Sequence, residues 1–218
     1  MDEVAQPEPL LLISTSSAGA AASVRVMVWR KLRSLGALYL QQSVCLLPAR
    51  PPIVRQVQRL AGRVRAEGGT AQVYTITVPD PAEYADLVGQ FNAARDAEYG
   101  EVCERTPELL AELATETARG RATYAEVEES EADLQRFRAW LAKITARDHF
   151  GAPGRGAAVE AVEACARALT EFETAALHAE TGPEPSAEPA GSAPAPGGAE
   201  GRRPRRRTVP ATDQPGAA

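Results

Sequence analysis

Histidine and cysteine are scarce: the 218 residues hold two of the first and three of the second. His149 and His178 have no cysteine or second histidine at metal-ligand spacing, and Cys45, Cys103 and Cys165 form no CxxC pair. Both facts argue against a zinc site and a disulfide framework, and free thiols point to a reducing, cytoplasmic compartment. Long apolar runs are missing as well. No stretch approaches the roughly 20 apolar residues of a membrane helix. Leu10–Ile13 superficially suggests an export signal, but the run is too short and its leader is acidic through Asp2, Glu3 and Glu8. No nucleophile elbow, phosphate loop or dinucleotide fingerprint appears, so the expectation is a protein that is not an enzyme and takes no cofactor or metal. The acids Glu126, Glu128, Glu129, Glu131 and Asp133 read as a solvated helix face.

Acid is the rarest commodity in the first third of the chain. Between Leu10 and Pro79 nine Lys and Arg face one acid, Glu67, whereas from Pro81 to Gly182 ten cations face twenty acids. The overall charge of −5 conceals this split. Such asymmetry between segments points to a polyanionic partner for the basic one. The sign changes at Pro79-Asp80-Pro81.

What is present organises around Val24–Pro48, VRVMVWRKLRSLGALYLQQSVCLLP. Val24, Val28, Leu32 and Leu35 recur at three to four residues, the inner stripe of a helix that Gly36 stops. Ala37–Gln41 and Val44–Leu47 follow as a hairpin around Gln42-Ser43. Upstream, residues 1–9 read as a flexible leader, and Leu10–Ser14 as a strand buried on both faces. Ser23 is the expected N-cap of the helix. Downstream, Pro48–Pro52 is expected to break the ladder before a second helix, about Ile53–Glu67, stopped by Gly68-Gly69. Ala71–Val78 closes the unit as a strand. The order βαββαβ is that of a ferredoxin-like unit over residues 10–79, with both helices on one sheet face.

The outward sides of those helices carry Arg25, Arg30, Lys31 and Arg33 on the first and Arg55, Arg59, Arg63 and Arg65 on the second. Arg55, Arg59 and Arg63 recur every four residues, where like charges repel by tenths of a kcal/mol per pair, so stability gives no reason for the ridge. A phosphate backbone does. Arg25, Trp29 and Arg33 also recur at four, placing an aromatic between two guanidinium groups. Arginine is also a good helix former, and an acidic protein surface is the other partner such a face suits.

Beyond Pro81 a helical bundle is expected over residues 80–181. One helix runs from Tyr84 to about Glu104, and Thr106-Pro107 opens the next, with Leu109, Leu110 and Leu113 inside. Gly120 ends it. Thr123 and Glu126 have capping-box spacing for a helix through Arg147, and Val159, Val162, Leu169, Phe172 and Leu177 mark a last one to about Ala179. Residues 182–218 are Pro/Ala/Gly-rich and expected to be disordered, with an Arg202–Arg207 cluster that is either a phosphate-gripping arm or a charged tail.

Three stretches carry a resemblance: VWRKLRSLGALYLQQSVCLLP (28–48), FNAARDAEYGEV (91–102) and KITARDHFGAP (143–153). Over roughly Leu10–Ala179 the chain resembles the amino-terminal domain of the ChrB family of chromate-resistance regulators. The hairpin stretch alone is also similar to PaaX-type repressors and to CRISPR-associated small nucleases. The nuclease comparison wants an acid at the end of the first strand, where Ser14-Thr15 stands. The ChrB resemblance implies a transcriptional regulator that represses a chromate-efflux operon and releases DNA when chromate is present. Family members carry a second, carboxy-terminal chromate-resistance domain, whereas Gly182–Gly201 here is low-complexity, which suggests either a DNA-binding half that lacks the usual sensor domain or one whose sensor-domain partner is encoded separately. A homodimer is the default for such regulators. Arg95 and Arg147 are the candidate oxyanion holders, since forked guanidinium donors suit chromate; the competing role is an Arg-carboxylate network with Asp96, Glu98 and Asp148 that fixes helix packing. The functional expectation is a DNA-binding regulator, against an accessory interaction module of oxyanion resistance that leaves DNA alone.

Overall fold

The computed structural model describes residues 7–119 and 124–181. Leu10–Ser16 forms β1, Ala22–Ser34 α1, Leu38–Gln41 β2, Val44–Pro48 β3, Pro51–Ala66 α2 and Thr70–Ile76 β4. Three long helices follow: α3 at Pro81–Arg119, α4 at Tyr124–Thr145 and α5 at Arg155–Thr181. The result is a mixed α/β fold. All sheet pairings are antiparallel, in the order β2-β3-β1-β4, so β1 lies inside with partners on both edges.

Successive side chains of a strand point to opposite faces, and β1 is apolar on both. Leu11 and Ile13 enter a core with Val24, Val28 and Leu32 of α1 and Val57, Leu60 and Val64 of α2. Leu10 enters a second core with Leu46 of β3 and Phe91 of α3, flanked by Leu12, Leu38 and Ile76. The sheet is thereby covered on one face by α1 and α2 and, over the Leu10–Leu46 part of the other, by α3, with Tyr74 of β4 left exposed. A third core, around Tyr99, Val102, Leu134, Ile144, Val162 and Phe172, belongs to α3, α4 and α5. The sheet and the three long helices belong to one compact unit, with the Leu10–Phe91 core spanning Pro79–Asp80.

Both glycine stops form as the sequence implies. Gly36 (φ +79) sends its N–H to Arg33 O while Ala37 N–H reaches Leu32 O, and Gly68 (φ +84) repeats the pair with Arg65 O while Gly69 reaches Val64 O. These are paired C-terminal bonds that a left-handed residue makes possible. Elsewhere the chain departs from expectation. Ser23 is not the N-cap of α1: that place falls to Ala21, without a side-chain cap bond, and Ser23 lies in the first turn. The ladder ends at Pro48 as expected, but α2 starts two residues before Ile53, at Pro51 and Pro52, where a missing N–H removes only an unpaired donor. Pro107 does not start a helix either. It lies inside the 39-residue α3, and the Cys103 carbonyl, deprived of its usual donor, accepts the Thr106 hydroxyl at 3.3 Å. Leu177 is exposed, and Ala176 turns inward in its place.

The expected leader is held at its end: Arg50 donates to both Glu8 carboxylate oxygens (2.8 and 2.9 Å), and Ala49 N–H reaches Pro9 O. The Gly120 and Thr123 boundary residues and the 182–218 tail with its arginine cluster lie outside the described residues.

Gly36 meets the far end of the fold. A Cβ there would stand 2.7 Å from Arg147 O and 2.8 Å from Arg147 Cβ. Gly36→Ala is expected to lose roughly 2–5 kcal/mol by urea unfolding, the sum of a left-handed penalty and overpacking. Gly62→Ala, in α2 with nothing within 4 Å, should gain up to about 1 kcal/mol. Equal stabilities for the two variants would show that the Gly36 seat is not close-packed.

Candidate functional site

The eight basic residues of α1 and α2 divide by helix geometry. Each helix turns its apolar stripe to the sheet, and at about 100° per residue every other position has a defined direction. Lys31, half-buried, donates to Gln56 Oε1 at 2.7 Å, which marks the sides on which the two helices meet. Arg30 lies on that side of α1, and Arg55, Arg59 and Arg63 follow the outward side of α2; all four arginines are exposed. These five residues share one outer face. The other three do not. Arg65 turns to the β4 flank and donates twice to Ala71 O (2.7 and 3.1 Å). Arg25 donates to Ser17 Oγ at 3.1 Å, and Arg33 lies over the Trp29 ring at 5.1 Å, both on the opposite flank of α1. Among the described residues no ion pair engages any of the eight.

That opposite flank borders a hollow of about 630 Å³ between Thr15–Ala18 after β1, Arg25 and Trp29 of α1, Tyr39 of β2 and the hairpin tip Gln42-Ser43. The Thr15 N–H bond to Ser43 O (2.9 Å) draws the loop and the hairpin tip together. Burial, above all, pushes the Tyr39 phenol up to about 12, so it stays a protonated donor. Sequence reading found only the Arg25-Trp29-Arg33 spacing of this site; the hydroxyl-bearing wall comes from long-range strand pairing that no local period announces.

A second constellation lies where α1, α3 and the α4–α5 connection meet. Glu98 of α3 accepts two donors of Arg147 on Oε2 (2.8 and 3.0 Å) and pairs through Oε1 with Arg95 at 3.3 Å. Arg95 is 9% exposed, and its Nε and Nη1 are buried without a partner. Burial pulls its guanidinium below the ordinary value, opposed by Glu98 and reinforced by the charge of Arg147. Asp148 accepts the Tyr99 hydroxyl at 3.1 Å and the N–H groups of Gly151 and Ala152, while Asp96 accepts Gly154 N–H at 2.7 Å. His149 Nε2 contacts Leu35 O at 2.7 Å; burial pulls its pKa down, so the neutral ring donates there. The structure thus brings Arg95 and Arg147 together, as the oxyanion expectation requires, and equally builds the carboxylate network that competes with it. Among the described residues no group of three or more His, Cys, Asp or Glu has metal-holding geometry, and no helix is long and apolar enough to cross a membrane.

The family model described as Protein ChrB, N-terminal, matches residues 25–182. The chain belongs to the ChrB N-terminal family. The matched segment takes in α1 from Arg25, the hairpin, α2, β4 and all three long helices, hence the outer cationic face and the Glu98 cluster, while the Thr15–Ala18 wall of the flank hollow precedes it. Comparison with curated proteins and with solved structures found no match. The three stretches that carry the ChrB resemblance converge in space: Gly36 from the first, Arg95–Tyr99 from the second and Arg147–His149 from the third meet at one junction.

Proposed function

We propose that the chain is a DNA-binding transcriptional regulator of the chromate-resistance type. The observation that carries this reading is the outer face of α1 and α2, where Arg30, Lys31, Arg55, Arg59 and Arg63 stand together with no ion pair among the described residues. Uncompensated guanidinium groups at four-residue spacing oppose helix stability and suit a phosphate backbone. Arg25, Arg33 and Arg65 extend the contact from its flanks. The βαββαβ order and the β2-β3-β1-β4 sheet support the ferredoxin-like reading of residues 10–79. Both sheet edges are strands with an exposed apolar residue, Leu40 on β2 (46%) and Tyr74 on β4 (53%), which supports edge pairing as the route to a homodimer. ChrB family membership supports chromate or a similar tetrahedral oxyanion as effector, and Arg95 supplies the means: two buried guanidinium donors without partners. Such donors cost about 1–3 kcal/mol each when left unmade, a cost that an arriving anion removes.

Five phosphate contacts fix the salt response. Anisotropy titration of the duplex upstream of the protein's own gene is expected to give a slope of log affinity against log salt of about −4 to −5, a loss of roughly 10² to 10³ between 50 and 200 mM. Replacing Arg55, Arg59 and Arg63 together by Ala should reduce that slope by about 3. A flat salt response, or no binding, favours the accessory-module reading. For the effector, isothermal titration of chromate and of sulfate should give heat with the wild-type chain and none with Arg95→Leu, a variant that removes unpaired donors and so should fold. Absence of heat from both anions in the wild type ends the oxyanion reading.

A further inference from the structure

Trp29 has no part in the phosphate-gripping face. It is 47% exposed, on the flank of α1 away from α2, with the Arg33 guanidinium over its ring. An indole half in water under one guanidinium does little for the core. Beside it the hollow offers hydroxyls from Ser16 and Ser17, the amide of Gln42 and the Tyr39 phenol, with Arg25 as its charged wall. No acid lines it. Its volume of about 630 Å³ falls within the usual range of small-ligand sites, about 300–1,000 Å³.

We propose that this hollow takes one unpaired nucleotide of single-stranded DNA, its base stacked on Trp29 and its phosphate held by Arg25. The inference rests on the nucleic-acid reading above and narrows it, because the face of a base is open to an indole only where the base has left its stack. Many single-strand readers stack bases on the open face of a β-sheet. Here α1 and α2 cover one sheet face, and α3 covers the Leu10–Leu46 part of the other, where Tyr74 stays exposed on β4. Trp29 offers its platform on the exposed flank of a helix, where Arg25 supplies the charge and the hairpin tip supplies donors and acceptors for a base edge. Duplex phosphates contact the outer face, and a frayed or extruded nucleotide reaches round the side of α1.

The test compares fluorescein-labelled (dT)12 with a 12-base-pair duplex by anisotropy, using the full chain and its Trp29→Ala and Trp29→Phe variants. Trp29→Ala should weaken (dT)12 roughly tenfold or more and leave the duplex within about twofold, while Trp29→Phe retains most of the (dT)12 affinity. Equal (dT)12 affinity for wild type and Trp29→Ala, or equal weakening of strand and duplex, overturns the inference. Duplex binding without (dT)12 binding overturns it too and leaves the proposed function standing; a wild-type chain that binds neither overturns both.

Discussion

One carboxylate, that of Glu98, lies between the guanidinium groups of Arg95 and Arg147, and the junction of sheet and helices is built around it. A charge removed from water must be paired to be tolerated, and two cations sharing one anion leave a local excess of donors. Arg147 takes the better geometry, with two bonds to one oxygen, and Arg95 is left with buried nitrogens unmatched. The backbone around this triad is held just as closely. Gly36 has no room for a side chain because Arg147 occupies the space, and His149 reaches back to the carbonyl of Leu35. The end of α1, the middle of α3 and the α4–α5 connection are thereby fixed in one register.

With that junction in place, burial and charge separate. β1 loses both faces to packing, α3 covers part of one side of the sheet, and α1 with α2 covers the other. The outer surfaces of α1 and α2 stay open. There the sequence concentrates basic residues and withholds acidic ones, which places uncompensated positive charge on a rigid two-helix platform. An effector held by Arg95 and Arg147 would act at the point where α1 ends, so the proposed ligand and the proposed DNA face share one helix.

Much of this was legible from residue spacing. The apolar stripes of α1 and α2 follow from a local period of 3.6, the stops after both from glycine's left-handed freedom, and the two-faced burial of β1 from its unbroken apolar run. What local pattern could not supply was partnership across the chain. Proline carries a helix-breaking expectation at residue 107, yet Thr106 satisfies the carbonyl that Pro107 leaves bare and the packing of Val102, Leu109 and Leu113 carries α3 through. Arg65 shares its helix and its residue type with Arg63, yet it lies on the β4 side and spends its donors on Ala71. Five of the eight candidate contacts share a face for reasons of helix phase; the meeting of Gly36 with Arg147 depends on tertiary packing alone.

In the proposed complex nucleic acid meets the outer face of α1 and α2. Amide hydrogen exchange of the full chain, with and without saturating duplex, tests it most directly. Exchange is expected to slow within residues 22–34 and 51–66 and to stay unchanged in α4 and α5. Slowed exchange confined to α4 and α5, with α1 and α2 unchanged, would contradict it.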